Sequence, residues 1–115
     1  MSDVTLWHNP RCTKSRQALA LLEEEGVDTE VVRYLDTPPD RAGLEAVLAK
    51  LGVEDPRAIV RKGEKVYREL GLADADRDAL LDAMVAHPIL IERPIVIKGD
   101  RAVVGRPTEA VLELL

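Results

Sequence analysis

The sequence predicts a mixed α/β domain: a β-α-β segment opens the chain, helices fill the middle, and two strands and a helix close it. Three observations carry this prediction. A β-branched and aromatic run at Val4–Trp7 precedes a segment of helical periodicity, two apolar helical stripes follow, and a hairpin pattern comes near the end. With 115 residues, the chain has the size of a single domain, residues 1–115, which can bury a sizeable core.

The first third of the chain is predicted as strand, loop, helix and strand. After the first strand, Asn9 and Pro10 signal a turn. Apolar and small side chains at helical spacing then predict a helix over 12–25, with Gly26 as its C-terminal cap. A second strand is expected over 29–34. Because a helix joins the two strands, they should pair in parallel through a right-handed crossover.

The middle of the chain, 37–87, is predicted as a helical insertion within the same domain. Thr37 is followed by two prolines and an acidic residue, a pattern typical of a helix start. Two apolar stripes at helical spacing follow: Leu44, Val47, Leu48 and Leu51, then Leu80, Leu81, Met84 and Val85. Between them, 56–72 indicates short helical pieces broken by Gly63 and Gly71.

The end of the chain returns to strands. Residues 95–98 and 101–104 are predicted to form a hairpin around Gly99 and Asp100. Pro107 then opens a last amphipathic helix, whose apolar residues are Val111, Leu112 and Leu115.

Composition excludes several classes of function. The net charge of −5 and the scarcity of aromatic residues, 3% of the chain, argue against nucleic-acid binding. No apolar stretch approaches the roughly 18 residues of a membrane span, and no signal segment opens the chain, so we expect a cytoplasmic protein without a membrane partner. Cys12 is the chain's only cysteine, and redox chemistry therefore needs a thiol from another molecule.

Cys12 lies between the first predicted strand and helix, where first-turn N–H groups and the helix dipole favour a thiolate. Its neighbours Arg11, Lys14 and Arg16 are basic, and no acidic residue occurs between 4 and 22. Basic residues are unfavourable in the first turn of a helix because they oppose the helix dipole. Their presence here therefore indicates a site for a thiolate, an oxyanion or both. The alternative is a buried structural cysteine beside a solvated basic surface.

One feature does not suffice to ionise a thiol near neutral pH. Lowering its pKa from about 8.5 to about 6.5 requires about 2.7 kcal/mol, and a helix terminus supplies at most about 2 kcal/mol. Ser15 is placed to hydrogen-bond the sulfur, and His8 leaves the strand toward the same loop. His8 could equally be an ordinary histidine at a strand end.

Arginines supply candidate anion ligands. Arg93 and Arg106 both precede prolines, which favour extended backbone and place both arginines outside regular helix. Arg61 is a third candidate. A guanidinium binds a tetrahedral oxyanion through two parallel hydrogen bonds, although all three arginines could instead pair with the 21 acidic residues. No zinc spacing joins the cysteine and the two histidines, so no metal is expected.

Four separated blocks resemble the glutaredoxin-coupled arsenate reductase (ArsC) family. They are His8-Asn9-Pro10-Arg11-Cys12-Thr13-Lys14-Ser15-Arg16, Tyr34-Leu35-Asp36-Thr37-Pro38-Pro39, Leu70-Gly71-Leu72, and His87-Pro88-Ile89-Leu90-Ile91-Glu92-Arg93-Pro94-Ile95-Val96. The resemblance covers nearly the whole chain. It implies a thioredoxin-like fold with a central helical insertion, and it implies that Pro94 is a structural cis-proline.

The resemblance also implies roles for the site residues. Cys12 is the implied nucleophile, assisted by His8 and Ser15. The implied substrate-binding residues are Arg61, Arg93, Arg106 and Thr13. Cys12 would attack arsenate, glutathione would act as co-substrate, and glutaredoxin would resolve the mixed species as arsenite leaves. No bound cofactor is implied, and we expect a monomer.

Two alternatives stay open at this stage. Relatives of the family include glutathione-dependent thiol reductases, which would use the same Cys12 on mixed disulfides. They also include Spx-type regulators that bind RNA polymerase and often sense oxidation through a Cys-x-x-Cys pair. Ser15 stands where that second cysteine would be, which argues against a disulfide switch.

Overall fold

The computed structural model describes residues 4–115; residues 1–3 of the predicted domain lie outside the described part. The helices and strands, in chain order, are β1 (Val4–Trp7), α1 (Thr13–Glu24), β2 (Thr29–Val32), α2 (Arg41–Leu51), α3 (Lys65–Glu69), α4 (Arg77–Ala86), β3 (Ile95–Lys98) and β4 (Arg101–Val104). Short 3-10 helices cover Pro56–Ile59, Leu72–Asp74, Pro88–Leu90 and Thr108–Leu114. No helix within 4–115 is long and apolar enough to cross a membrane.

The four strands form one sheet of order β2-β1-β3-β4. β1 pairs in parallel with β2, from Val4 opposite Thr29 to Trp7 opposite Val32. β3 pairs antiparallel with both β1 and β4. The parallel pair and the C-terminal hairpin are therefore as predicted, and together they give the thioredoxin-like arrangement that the resemblance implies.

The chain divides into two compact units. The first contains Met1–Thr37 and Arg93–Leu115, and the second is Pro38–Glu92. In the first unit, apolar residues from the sheet, α1 and the C-terminal 3-10 helix form one core: Val4, Leu6, Ala18, Leu22, Val96, Val111 and Leu114. The second unit holds the predicted helical segment, and its description as an insertion within one domain stays a prediction.

α1 follows its predicted boundaries closely. Cys12 is the N-cap and Glu25 the C-cap, and Gly26 follows with φ of +70°. The Gly26 N–H donates to Glu23 O, and the next N–H, of Val27, donates to Leu22 O, both at 3.0 Å. This pattern closes a helix through a left-handed residue, which is why glycine stands there.

Two predicted element boundaries are wrong, and one helix is of a different type. β2 ends at Val32 rather than residue 34, because the N–H groups of Asp36 and Thr37 both donate to Arg33 O at 2.9 Å and turn the chain. α2 is capped by Asp40, whose side chain accepts from the Gly43 N–H at 2.7 Å, and Thr37 lies outside the helix.

The third correction concerns the C-terminal helix. Thr108–Leu114 is a 3-10 helix, in which residues three apart share a face. Val111 and Leu114 are therefore the buried pair, and the predicted apolar residues Leu112 and Leu115 are 41% and 43% exposed.

Candidate functional site

The loop between β1 and α1 is held by its own hydrogen bonds. The Cys12 N–H donates to Asn9 O at 3.0 Å, and the Arg11 N–H donates to Asn9 Oδ1, also at 3.0 Å. The Arg16 guanidinium returns from α1 to donate to Pro10 O at 2.9 Å. These contacts place a partly exposed Cys12 at the N-terminus of a twelve-residue helix, where the helix dipole is positive.

The environment of Cys12 favours its thiolate. Burial raises the pKa of the thiol, but the Ser15 N–H, the Arg93 guanidinium and the Lys14 N–H together outweigh burial and hold that pKa below its ordinary value. No cap hydrogen bond of regular geometry joins the side chain to the helix, so the N–H groups act through their partial positive charges. Because the thiolate is the nucleophilic form, the sulfur is activated without a second cysteine.

The hairpin brings two predicted arginines together near this sulfur. Its ladder continues beyond β3 and β4, where the Gly105 N–H donates to Pro94 O at 2.9 Å. Arg93 and Arg106 flank this pair, and Arg106 Nε donates to Arg93 O at 2.7 Å. Arg106 Nη2 lies 3.8 Å from Cys12 Sγ, and the Arg93 guanidinium lowers the pKa of the same thiol. Two guanidinium groups thus stand where an oxyanion attacked by the sulfur would be bound.

Backbone geometry at the hairpin limits which residues fit there. The Arg93–Pro94 and Arg106–Pro107 peptide bonds are both cis; the resemblance implies the first, and nothing in the sequence indicates the second. A Cβ at Gly105 would lie 2.8 Å from Pro94 Cγ. Glycine is therefore required for the close approach that brings the two arginines to one end of the hairpin.

Arg61, the third predicted arginine, belongs to the second compact unit. Its N–H donates to Leu90 O at 2.7 Å, and its Nε lies 3.4 Å from Glu64 Oε2. Arg61 Nη1 is buried and has no hydrogen-bond partner among residues 4–115. Its role as a substrate ligand stays a prediction.

His8 and Ser15 form a buried pair behind the loop. His8 Nδ1 lies 2.7 Å from Ser15 Oγ, which also accepts the Asn9 N–H at 3.0 Å. Within the described chain, the Ser15 hydroxyl is thus engaged by these two residues, and the prediction that it hydrogen-bonds the sulfur is wrong. The reason is local: Ser15 lies on the buried face of α1, so its backbone N–H faces the cap residue while its side chain points into the protein.

The protonation state of His8 follows from its surroundings. Burial is the main cause that lowers the pKa of His8, and the nearby charges of Arg33 and Arg16 lower it further. His8 is therefore neutral near pH 7. A neutral ring bonded to Ser15 positions the first turn of α1, and its catalytic role stays a prediction.

Thr13 and Asn9 complete the loop, and the sequence indicated Asn9 only as part of a turn. Thr13 is exposed, and its Oγ1 accepts from Arg16 Nη2 at 3.2 Å. Asn9 is buried, and its N–H, carbonyl and side-chain oxygen all hold the loop. The turn signal at Asn9 and Pro10 was visible in the sequence, but a turn signal alone does not show which atoms close the turn.

The sheet order and the position of Cys12 at the start of α1 define a thioredoxin-like fold with a free cysteine at its first helix. The sequence profile described as the ArsC family matches residues 7–114. The chain belongs to the ArsC family.

Comparisons with individual proteins agree with this assignment. The chain is 50% identical to an arsenate reductase of Neisseria meningitidis serogroup A over 117 residues, covering 100% of both sequences. It is also 50% identical to the uncharacterised protein YfgD of Escherichia coli strain K12, covering 97% of this chain and 96% of that protein. The solved structure of an arsenate reductase from Vibrio cholerae matches with a TM-score of 0.96 and 46% identity, over 99% of this chain and 98% of that one.

Proposed function

We propose that this protein is an arsenate reductase that forms a covalent adduct between Cys12 and arsenic. The observation that carries the proposal is the convergence of Arg93 and Arg106 on a sulfur whose pKa is held low. A thiolate supplies the nucleophile, and two guanidinium groups supply the charge that binds a tetrahedral oxyanion. The full-length similarity to proteins named arsenate reductase supports arsenic as the reacting centre.

In the first step, the Cys12 thiolate attacks arsenic. A sulfur–arsenic bond forms, one arsenic–oxygen bond breaks, and the departing oxygen takes up protons and leaves as water. Arsenic stays pentavalent. Arg93 and Arg106 hold the remaining oxygens, whose negative charge would otherwise repel the approaching sulfur.

The reducing electrons come from outside thiols, because Cys12 is the chain's only cysteine. Glutathione displaces a second oxygen as water and forms a second sulfur–arsenic bond. A glutaredoxin thiolate then attacks the glutathione sulfur, forming a mixed disulfide and leaving the bond's electron pair on arsenic, which becomes trivalent. Water finally replaces Cys12 on arsenic, releasing arsenite and the thiol. These donors suit a reducing cytoplasm.

A coupled assay tests the proposal. With glutathione, glutaredoxin, glutathione reductase and NADPH, we expect arsenate-dependent NADPH oxidation that Cys12→Ser abolishes. Arsenate should also protect the wild-type thiol from alkylation, since one pocket holds both groups. Absence of arsenate-dependent turnover by the folded wild-type protein, checked by circular dichroism, would overturn the assignment; reduction of a glutathionylated peptide without arsenate would instead indicate a thiol reductase.

A further inference from the structure

A cavity of about 230 Å³ lies beside the loop that leads to the nucleophile, on the first compact unit. One wall comes from the β1–α1 loop and includes His8 and Arg11, the residue before Cys12. The other wall comes from the turn after β2 and includes Arg33, Leu35 and Asp36. The chemistry proposed above uses none of the residues of this second wall.

The cavity carries an excess of positive charge although the chain as a whole carries a net charge of −5. Arg11 and Arg33 line it against one acidic residue, Asp36. Arg33 Nε lies 3.5 Å from Asp36 Oδ2 in an exposed ion pair, a kind of contact that holds only weakly in water. The Arg33 side chain is exposed, so its guanidinium can turn toward a ligand.

His8, which lines the first wall, indicates the sign of the electrostatic potential inside the cavity. After burial, the charge of Arg33 is the next cause that lowers the pKa of His8. A field that disfavours an imidazolium ion favours an anion in the same place. The cavity is therefore suited to a carboxylate and unsuited to an ammonium group.

We propose that this cavity binds the glycine carboxylate of glutathione, with Arg33 as its main ligand. The inference deepens the proposed function, on which it rests for the identity of the thiol. Two extended residues span roughly 7 Å, so a cysteinyl-glycine end held beside Arg11 keeps its sulfur within reach of the arsenic on Cys12. Leu35 is 38% exposed and offers an apolar contact to the backbone of that segment.

The other end of glutathione fits less well. Its γ-glutamyl carboxylate carries an ammonium group on the same carbon, which Arg11 and Arg33 would repel. The cavity walls contain one carboxylate, Asp36, against two guanidinium groups, so an ammonium group would meet a net positive charge there. The two carboxylates of glutathione are therefore distinguishable by experiment.

Steady-state kinetics tests the site in the complete assay. We expect Arg33→Gln to raise KM for glutathione about tenfold with little change in kcat, since one charge-assisted hydrogen bond is lost. Arg101→Gln removes an exposed arginine from β4 and is the matched control, with KM unchanged. With γ-glutamylcysteine, which lacks glycine, wild type and Arg33→Gln should have equal KM values; a tenfold difference that persists with γ-glutamylcysteine overturns the proposal.

Binding of a thiol-blocked ligand separates this proposal from the proposed function. S-methylglutathione cannot react, so its titration by NMR reads binding alone. We expect amide shifts at 8, 9, 11 and 33–36, and a Kd about tenfold weaker in Arg33→Gln. Esterifying the glycine carboxylate should cause no further loss of affinity in Arg33→Gln, because both changes remove the same interaction.

The outcomes of the titration are distinct. Shifts at these residues in a protein that does not turn over arsenate leave the carboxylate site standing and remove the proposed function. Shifts elsewhere, or an equal Kd in Arg33→Gln, overturn the site. Arsenate alone should not shift 33–36; if it does and competes with S-methylglutathione, the cavity is a general anion site and the specific proposal is wrong.

Discussion

The sulfur of Cys12 owes its activation to several small effects rather than one large effect. A helix N-terminus by itself contributes at most about 2 kcal/mol toward stabilising a thiolate. Because burial works in the opposite direction, the Arg93 guanidinium is needed in addition to the N–H groups of Ser15 and Lys14. Arg93 therefore favours the thiolate before substrate arrives, and in the proposed mechanism it also binds the oxyanion.

Replacement of Arg93 by glutamine should raise the pKa of Cys12. Losing a charge-assisted hydrogen bond costs about 1.5 kcal/mol, which corresponds to about one pKa unit and a tenfold slower alkylation near neutral pH. The rate of iodoacetamide alkylation measured across pH checks this prediction, with Arg101→Gln as the control. An unchanged midpoint in Arg93→Gln would show that the helix terminus activates the sulfur alone.

Replacement of Arg93 by lysine separates the two functions. Lysine keeps the charge but lacks the planar pair of donors. We expect the alkylation midpoint of Arg93→Lys to return toward the wild-type value while the arsenate concentration needed for half-protection of Cys12 stays raised. Equal protection in Arg93→Lys and wild type would contradict a bidentate contact with the oxyanion.

At the scale of elements, the order of strands and helices follows from the sequence because periodicity and turn residues are local signals. Boundaries are harder to predict when two residues compete for one function. Thr37 and Asp40 both have the side-chain oxygen of an N-cap, and the structure uses Asp40. Two consecutive prolines separate them, and the residue before a proline is driven away from helical backbone, which displaces the helix start to the later residue.

The cap of α2 gives a direct comparison of the two residues. Asp40→Ala should lower the free energy of unfolding by about 1 kcal/mol, because the Gly43 N–H loses its acceptor. Thr37→Ala removes an exposed side chain that caps nothing and should leave stability unchanged. Urea unfolding followed by circular dichroism measures both; a larger loss in Thr37→Ala would restore the sequence-based boundary.

At the scale of the whole molecule, the sequence indicates a cysteine site and separate arginines but not how they meet. Arg93 and Arg106 reach Cys12 through an antiparallel pairing whose register brings the two ends of the hairpin together. The turn fixes the register within the hairpin, but the pairing of β3 with β1 joins distant segments, so no local pattern shows that the hairpin end lies beside Cys12. The engagement of the Ser15 hydroxyl by His8 was unpredictable for the same reason, since it depends on which face of α1 is buried.

The pH dependence of stability follows from His8. The folded chain keeps His8 neutral, because burial lowers its pKa. The unfolded chain protonates the same ring below its ordinary pKa of about 6.5 and thus binds more protons, so acidification through that range reduces stability. We expect His8→Asn, which removes this proton linkage, to lose less unfolding free energy than wild type between about pH 7.5 and about pH 5.5.

Urea titrations at the two pH values measure this difference. His87→Asn removes the exposed histidine and is the matched control. Parallel losses of stability in wild type and His8→Asn would contradict a neutral, buried His8.

The hairpin carries the two arginines at its open end and an exposed turn at its other end, away from Cys12. Its turn, where Gly99 adopts a φ of +61° and Asp100 is exposed, stands at the opposite end of a ladder of four residue pairs, about 10 Å away along the strands. A fluorophore or affinity tag grafted at Asp100 would report on the folded protein while leaving the chemistry undisturbed.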